Sequence, residues 1–186
     1  VQGLILCPTR ELGKQVAKQL FKYTKYSDKI FTEAVYGGEH IERQMSALSR
    51  PTHIVVATPG RLIDLVEKKA VDLSGVKTVI LDEADEMLRM GFIDDVKWVM
   101  EKLPKERQIA LFSATMPDVI RRVAEKFLND PKIVKIKTKT ATAQTISQSY
   151  WLVSGVNKLD ALTRILEVES FDALLIFVRT KTATVD

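Results

Sequence analysis

Short apolar, β-branched runs alternate along the chain with longer stretches whose apolar residues recur every three or four positions. Leu4-Ile5-Leu6, Ile54-Val55-Val56, Val79-Ile80-Leu81 and Ile109-Ala110-Leu111-Phe112 are the short runs, and their length and composition predict buried strands. Over residues 10–26, Leu12, Val16, Leu20 and Tyr23 form one helical stripe, with Thr9 placed to cap its start. Ile41, Met45 and Leu48 stripe a second helix, and Val96, Val99, Met100 and Leu103 another. Val119, Val123 and Phe127 mark one more, which Asp130-Pro131 ends, and residues 132–136 read as a further strand. Strands alternating with helices of this length imply βαβ units and a mostly parallel α/β sheet flanked by helices.

The pattern then breaks. Residues 137–145 are polar, Thr-rich and without hydrophobic period, which predicts a linker. Beyond it, residues 146–153 read as a strand, Asn157 as the cap of a helix striped by Leu159, Leu162 and Leu166, and residues 173–178 as another strand. The organisation expected is therefore a first lobe over 1–136, a linker over 137–145 and the start of a second lobe over 146–186.

Each strand of the first lobe runs into a short polar motif. Leu4-Ile5-Leu6 leads to Pro8-Thr9-Arg10-Glu11-Leu12, and Ile54-Val55-Val56 to Thr58-Pro59-Gly60-Arg61. Val79-Ile80-Leu81 leads to Asp82-Glu83-Ala84-Asp85, and the last run to Ser113-Ala114-Thr115. In a parallel sheet these motifs emerge together at the carboxyl ends of the strands, where α/β folds bind ligands. Two adjacent carboxylates suit the metal-holding and water-orienting parts of phosphoryl transfer. A plainer alternative exists for each motif. Acids at 82–83 suit a helix N-terminus, Pro8-Thr9 and Thr58-Pro59 suit helix capping, and Ser113-Ala114-Thr115 suits a cap for a helix starting near Pro117.

Composition narrows the class. Hydrophobic residues make up 46% and charged residues 28%, ordinary values for a packed domain. No apolar run approaches the length of a bilayer span, and no secretory signal is visible. The single Cys7, beside an apolar strand, cannot form an internal disulfide and suits the cytosol. His40 and His53 lack spaced ligand partners, so a structural zinc site is not expected. Net charge is +4, a mild bias toward polyanions. Its distribution says more: residues 82–95 hold six carboxylates against Arg89, whereas residues 131–164 hold Lys132, Lys135, Lys137, Lys139, Lys158 and Arg164 against Asp160. The first region suits a divalent cation and the second a phosphate backbone or a solvated linker face.

Taken in order, the motifs resemble those of the DEAD-box ATP-dependent RNA helicases, over essentially the whole chain. Residues 8–15 (PTRELGKQ) resemble motif Ia, Gly37-Gly38 the glycine doublet after it, 58–61 motif Ib, 82–85 motif II, 113–115 motif III, and 175–181 (LIFVRTK) motif IV. Within the family, DEADEMLRMGF and ISQSYW are most similar to its bacterial cold-shock branch. The resemblance implies a RecA-like first lobe, the beginning of a second, and ATP and Mg²⁺ as cofactors. It implies that Asp82 holds the metal through water, that Glu83 polarises the hydrolytic water, and that Asp85, Ser113 and Thr115 couple the ATP site to lobe closure. RNA, as single strand or short duplex, is the implied partner. Pro8, Thr9, Arg10, Gly38, Thr58, Gly60 and Arg61 would grip its backbone, joined by Thr180 and Lys181 of the second lobe. These residue types suit that work, because glycines and helix N-termini offer backbone N–H groups to phosphate and Arg pairs with it bidentately. A cytoplasmic setting, cold-shock response, ribosome biogenesis and RNA-decay partners are implied in the same way.

The chain carries no GxxxxGK[ST] phosphate loop; near Gly13-Lys14, Pro8 stands at the first glycine position and Gln15 at that of the Ser or Thr. The family's adenine-reading segment and arginine-rich motif are also missing from it. An internal segment of a longer helicase is therefore expected, inactive by itself toward ATP. The alternative is an ATP-independent RNA-binding or annealing module. The strand feeding the phosphate loop is expected beside the segments before Asp82 and Ser113, which predicts a gap in the sheet there.

Overall fold

The computed structural model describes residues 1–27, 30–136, 146–155 and 157–180, and its chain divides into two compact units, Val1–Ile133 and Val134–Asp186. Five strands form the first unit's sheet: β1 (Gly3–Leu6), β2 (Thr32–Val35), β3 (Ile54–Ala57), β4 (Thr78–Leu81) and β5 (Gln108–Leu111). They stand in the order β2-β3-β1-β4-β5, every neighbouring pair parallel. The helices are α1 (Arg10–Thr24), α2 (Ile41–Leu48), α3 (Pro59–Glu67), α4 (Ala84–Arg89), α5 (Ile93–Lys102) and α6 (Asp118–Phe127).

Strand order and chirality decide which face each helix covers. The chain leaves β1 in one direction to reach β2, then moves the other way through β3, β4 and β5. Right-handed crossovers put the first connection on one face and the later ones on the opposite face. The packing follows that rule. Leu12, Val16, Ala17 and Leu20 of α1 lie on Ile5, Cys7 and Val56. Residues of α2, α3, α4, α5 and α6 lie with Leu4, Leu6, Val55, Val79 and Leu81 on the other side. Successive strand residues thus feed two cores, which is why these strands read as continuous apolar runs rather than alternating ones. Each fully buried Leu or Val among them contributes roughly 1.5–3 kcal/mol.

One glycine records a close approach. Gly13 is buried within α1, and a Cβ there would stand 3.3 Å from the Cys7 Sγ. Its absent side chain lets α1 settle on the end of β1, at a helix-propensity cost of roughly 1 kcal/mol.

Several expectations change. β2 has no counterpart in the sequence reading, because Thr32-Glu33-Ala34-Val35 is short and buries only Val35, as an edge strand can. Tyr23, read as part of the α1 stripe, is 79% exposed. No gap separates the strands before Asp82 and Ser113: β4 and β5 pair directly, from Thr78↔Gln108 to Leu81↔Leu111. Consecutive strands joined by a crossover pair with each other here, so a further strand has room only beyond β2 or β5.

In the second unit, α7 (Lys158–Val168) forms as expected, and the Asn157 side chain accepts the Leu159 N–H at 3.1 Å. Residues 132–136, 146–153 and 173–178 are not strands. A strand exists only through hydrogen bonds to a neighbour. Among the described residues none is supplied, and side chains such as Leu152 and Phe177 stand exposed. The expected linker, 137–145, lies outside the described residues.

Candidate functional site

The carboxyl ends of all five strands form one edge, and the sequence motifs sit along it. At the end of β4 the Asp82 N–H donates to the Leu6 carbonyl of β1 at 2.9 Å, and the Ala84 N–H to the Phe112 carbonyl beyond β5 at 3.0 Å. These bonds carry the sheet's ladder into the motif and fix its backbone. Asp82 is half-buried, and its Oδ1 accepts the Glu83 N–H at 3.1 Å. Glu83 is exposed and left-handed, with φ 50° and ψ 53°. That conformation costs a non-glycine residue about 1 kcal/mol or more. Helix α4 does begin at Ala84, so the helix-start reading is half right, but the Glu83 side chain makes no capping hydrogen bond.

Asp85, 5% exposed, lies inside a closed polar network. Its Oδ2 accepts the Thr115 Oγ1–H at 2.7 Å and the Thr115 N–H at 3.0 Å. Its own N–H donates to Ser113 Oγ at 3.1 Å, and that hydroxyl donates onward to the Thr115 carbonyl at 2.7 Å. The hydrogen bond from the Thr115 side chain, chief among these, brings the Asp85 pKa down to about 2 against the cost of burial. Ser113 and Thr115 therefore bind α4, not α6, whose N-cap position is Pro117 without a side-chain cap. The capping alternative for 113–115 is not realised.

Cys7 follows β1, between the acidic and basic stretches of the edge. Burial, then the carboxylates of Asp82 and Glu83, push its thiol up to about 12. It is a neutral packing residue, its Sγ 3.5 Å from the Ala57 carbonyl.

Beyond β1, β2 and β3 the edge turns cationic. Thr9 caps α1 by accepting the Leu12 N–H at 3.2 Å, and Arg10 begins the helix. Thr58 is buried at the start of α3, with its N–H on the Val35 carbonyl at 3.1 Å and no side-chain cap. Gly38, at φ 79°, turns the chain after β2 next to Arg10, whose Nη1 would lie 3.7 Å from an added Cβ. Gly60 faces Asp95, whose Oδ2 would lie 3.7 Å from a Cβ there. The Arg61 side chain is only 11% exposed, and both its Nη1 and Nη2 donate to the Glu39 carbonyl at 3.1 Å. Its buried Nε has no hydrogen-bond partner, and Asp64 stands 3.7 Å away. The guanidinium is thus held between the Glu39 carbonyl and the Asp64 carboxylate, with one buried N–H left without a hydrogen-bond partner.

Thus Pro8, Thr9, Arg10, Gly38, Thr58, Gly60 and Arg61 gather at the ends of β1, β2 and β3, and Asp82, Glu83, Asp85, Ser113 and Thr115 at the ends of β4 and β5. Thr180 belongs to the second unit, and Lys181 lies outside the described residues. Sequence reasoning passed over Lys14, Tyr36 and Glu39, which join the cationic group. The available signals were the i,i+4 spacing of Arg10 and Lys14 and an acid directly after the glycine doublet.

The chain is similar to known proteins in both sequence and fold. Residues 1–123 match the family described as DEAD/DEAH box helicase. The ATP-dependent RNA helicase DeaD of Haemophilus influenzae is 51% identical over 185 residues, covering 100% of this chain and 30% of that protein. The Escherichia coli K12 protein of the same name is 49% identical, with 100% and 29% covered. This chain thus spans about a third or less of the length of these relatives. A DEAD box protein from Methanococcus jannaschii has a crystal structure that superposes with a TM-score of 0.70 at 41% identity, covering 90% of this chain and 44% of that one. A hypothetical ATP-dependent RNA helicase from Sulfolobus tokodaii gives a TM-score of 0.67 at 42% identity, covering 71% and 39%. With a parallel RecA-like sheet, an Asp-Glu-Ala-Asp turn at the end of β4 and these matches, the chain belongs to the DEAD/DEAH box helicase family.

Proposed function

We propose that this chain forms part of an ATP-dependent RNA helicase, an RNA-stimulated ATPase that remodels short duplexes. The observation that carries the reading is Glu83: an exposed carboxylate in a left-handed conformation, beside half-buried Asp82 and the closed Asp85–Ser113–Thr115 network. Lys69 and Asp130 are left-handed as well, but of the three only Glu83 lies in a motif at a strand end. Strained residues of this kind cluster at active sites where the surrounding structure over-determines them.

The donor set at Asp82 fits Mg²⁺. The carboxylate is a hard oxygen donor with Oδ1 engaged by the Glu83 N–H, leaving Oδ2 for a metal-bound water, and Mg²⁺ keeps several waters in such sites. When bound, the metal with its nucleotide would supply charge neutralisation on the phosphates. The chain's own part is to orient water with Glu83 and to keep Asp85 ionised. The Asp85 network then ties α4 to the segment after β5, so that movement of one is felt by the other. No phosphate loop occurs in these 186 residues, so the phosphate cradle would come from elsewhere in the protein.

Arg10, Gly38, Thr58, Gly60 and Arg61 are proposed to hold the RNA backbone, with Thr180 and Lys181 added from the second unit. Such contacts position a strand without reading its bases. The similarity to the cold-shock branch supports a cytoplasmic role in stress response, with ribosome-assembly or RNA-decay partners. The test is ATP hydrolysis by the full-length protein with and without single-stranded RNA. Stimulation independent of RNA sequence is expected; RNA binding with no RNA-dependent hydrolysis would favour the ATP-independent annealing module.

A further inference from the structure

Arg10 and Lys14 are spaced i,i+4 at the N-terminus of α1. Two cations there are opposed twice, by their mutual repulsion and by the positive end of the helix dipole. Both nevertheless lie over one buried aromatic ring: the Arg10 Cζ is 5.4 Å and the Lys14 Nζ 5.2 Å from the centroid of Tyr36. The ring is firmly held, since Tyr36 is 8% exposed and its carbonyl accepts the Gln44 side-chain N–H at 3.0 Å.

The anion that compensates the two cations is Glu39. Its Oε1 stands 3.5 Å from Arg10 Nη2, 3.7 Å from Lys14 Nζ and 3.5 Å from the Tyr36 hydroxyl, which donates to it. These contacts are loose beside the 2.7–2.9 Å usual for charge-assisted hydrogen bonds. All three side chains remain solvent-accessible, at 40%, 48% and 39% exposure. What holds Glu39 in place is its backbone, whose carbonyl takes both Arg61 donors at 3.1 Å. The carboxylate is thus delivered to the cations by a pinned turn, and its own grip on them is weak.

We propose that Arg10 and Lys14 over Tyr36 form a phosphate seat, and that Glu39 is a built-in carboxylate which an RNA backbone phosphate displaces from it. Lys14 becomes a further RNA-contacting residue, and Glu39 a residue that sets affinity by competition. The inference rests on the RNA-binding reading of this face. Its chemistry is simple exchange of one anion for another on the same two cations. Because exposed ion pairs are individually weak, the competition is modest and salt-sensitive.

The experiment is RNA binding by the full-length protein without ATP, using a single-stranded homopolymer of about ten nucleotides across a salt series. Glu39→Gln keeps the shape and removes the charge. It is expected to tighten binding about three- to tenfold at low salt, with the gain fading at high salt and the dependence of log K on log[salt] becoming steeper by up to about 0.7. Lys14→Ala should weaken binding, and in a Lys14→Ala, Arg10→Ala background Glu39→Gln should have no effect. A variant that merely perturbed the turn would not show this loss of coupling. Unchanged or weaker binding by Glu39→Gln would overturn the proposal, the weaker result assigning Glu39 a direct contact with RNA. If Arg10→Ala also leaves affinity untouched, the RNA reading of the face fails; if only Arg10→Ala weakens it, that reading stands and the competition alone is lost.

Discussion

At the ends of β4 and β5, the Asp85 carboxylate meets the Thr115 hydroxyl at 2.7 Å and its N–H at 3.0 Å; at the ends of β1, β2 and β3, the Glu39 carboxylate meets its cations at 3.5 and 3.7 Å. Asp85 is 5% exposed, whereas the Glu39 side chain is 39% exposed. Short neutral donors around a buried acid make a permanent joint, since breaking one leaves a charge without compensation. Long contacts between exposed charges make an exchangeable one, since water and salt replace them at little cost. One sheet edge thus carries a closed carboxylate network beside a loosely paired group of exposed charges. That is the division of labour expected if nucleotide chemistry must be passed to a strand that binds and leaves.

The largest effect should come from the acidic half. In the full-length protein, Glu83→Gln keeps the side-chain shape and removes the charge proposed to orient the attacking water. Steady-state ATP hydrolysis is expected to fall about 10²–10⁴-fold while ATP and RNA binding stay near the parent's. A variant that retained turnover within a few-fold would assign the left-handed Glu83 a purely structural place.

A smaller loss should follow from opening the joint itself. Thr115→Val removes one hydroxyl donor from ionised Asp85 and should destabilise the first unit by about 1.5–3 kcal/mol in denaturant unfolding at neutral pH. Its pH dependence has a definite sign. The folded Asp85 pKa, about 2, lies below the ordinary 3.8, so its contribution is fully present above about pH 4 and is lost as pH falls through 2. The stability gap between parent and variant should therefore stay constant above pH 4 and close towards pH 2. A gap that persisted in acid would mean that packing, not the charge on Asp85, is what Thr115 supports.

Least severe is the expected change at the cationic half. Arg61→Ala should weaken RNA binding by a similar factor for different base sequences and lower the salt slope by about 0.7, as for one phosphate contact on a single strand. Because Arg61 also holds the Glu39 carbonyl, weaker binding with an unchanged salt slope would make it a brace of the Gly37-Gly38 turn and not a phosphate ligand.

Much of the fold was legible because the relevant signals are local. Apolar runs of three or four residues fed both faces of the sheet at β1, β3, β4 and β5, and stripes of period 3.6 marked α1, α2, α5, α6 and α7. β2 was not legible, since an edge strand bearing Thr32 and Glu33 needs no apolar run. The segments 132–136, 146–153 and 173–178 show the converse. Their composition suits strands, yet without a neighbour to complete the ladder they do not become strands among the described residues.

The site divides the same way. By itself the sequence determined which residues end β1, β3, β4 and β5, that these ends share one edge, and that carboxylates and cations would both be found there. Chain direction and the parallel rule suffice for that. Only the tertiary structure decided that β4 lies against β5, so that Asp85 meets a threonine thirty residues away, and that Glu83 is left-handed. It alone brought Glu39 onto Arg10 and Lys14, 29 and 25 positions earlier in the chain. Burial of apolar surface is written in the period of nearby residues, whereas strand order and charge pairing depend on which distant segments the closed core brings together.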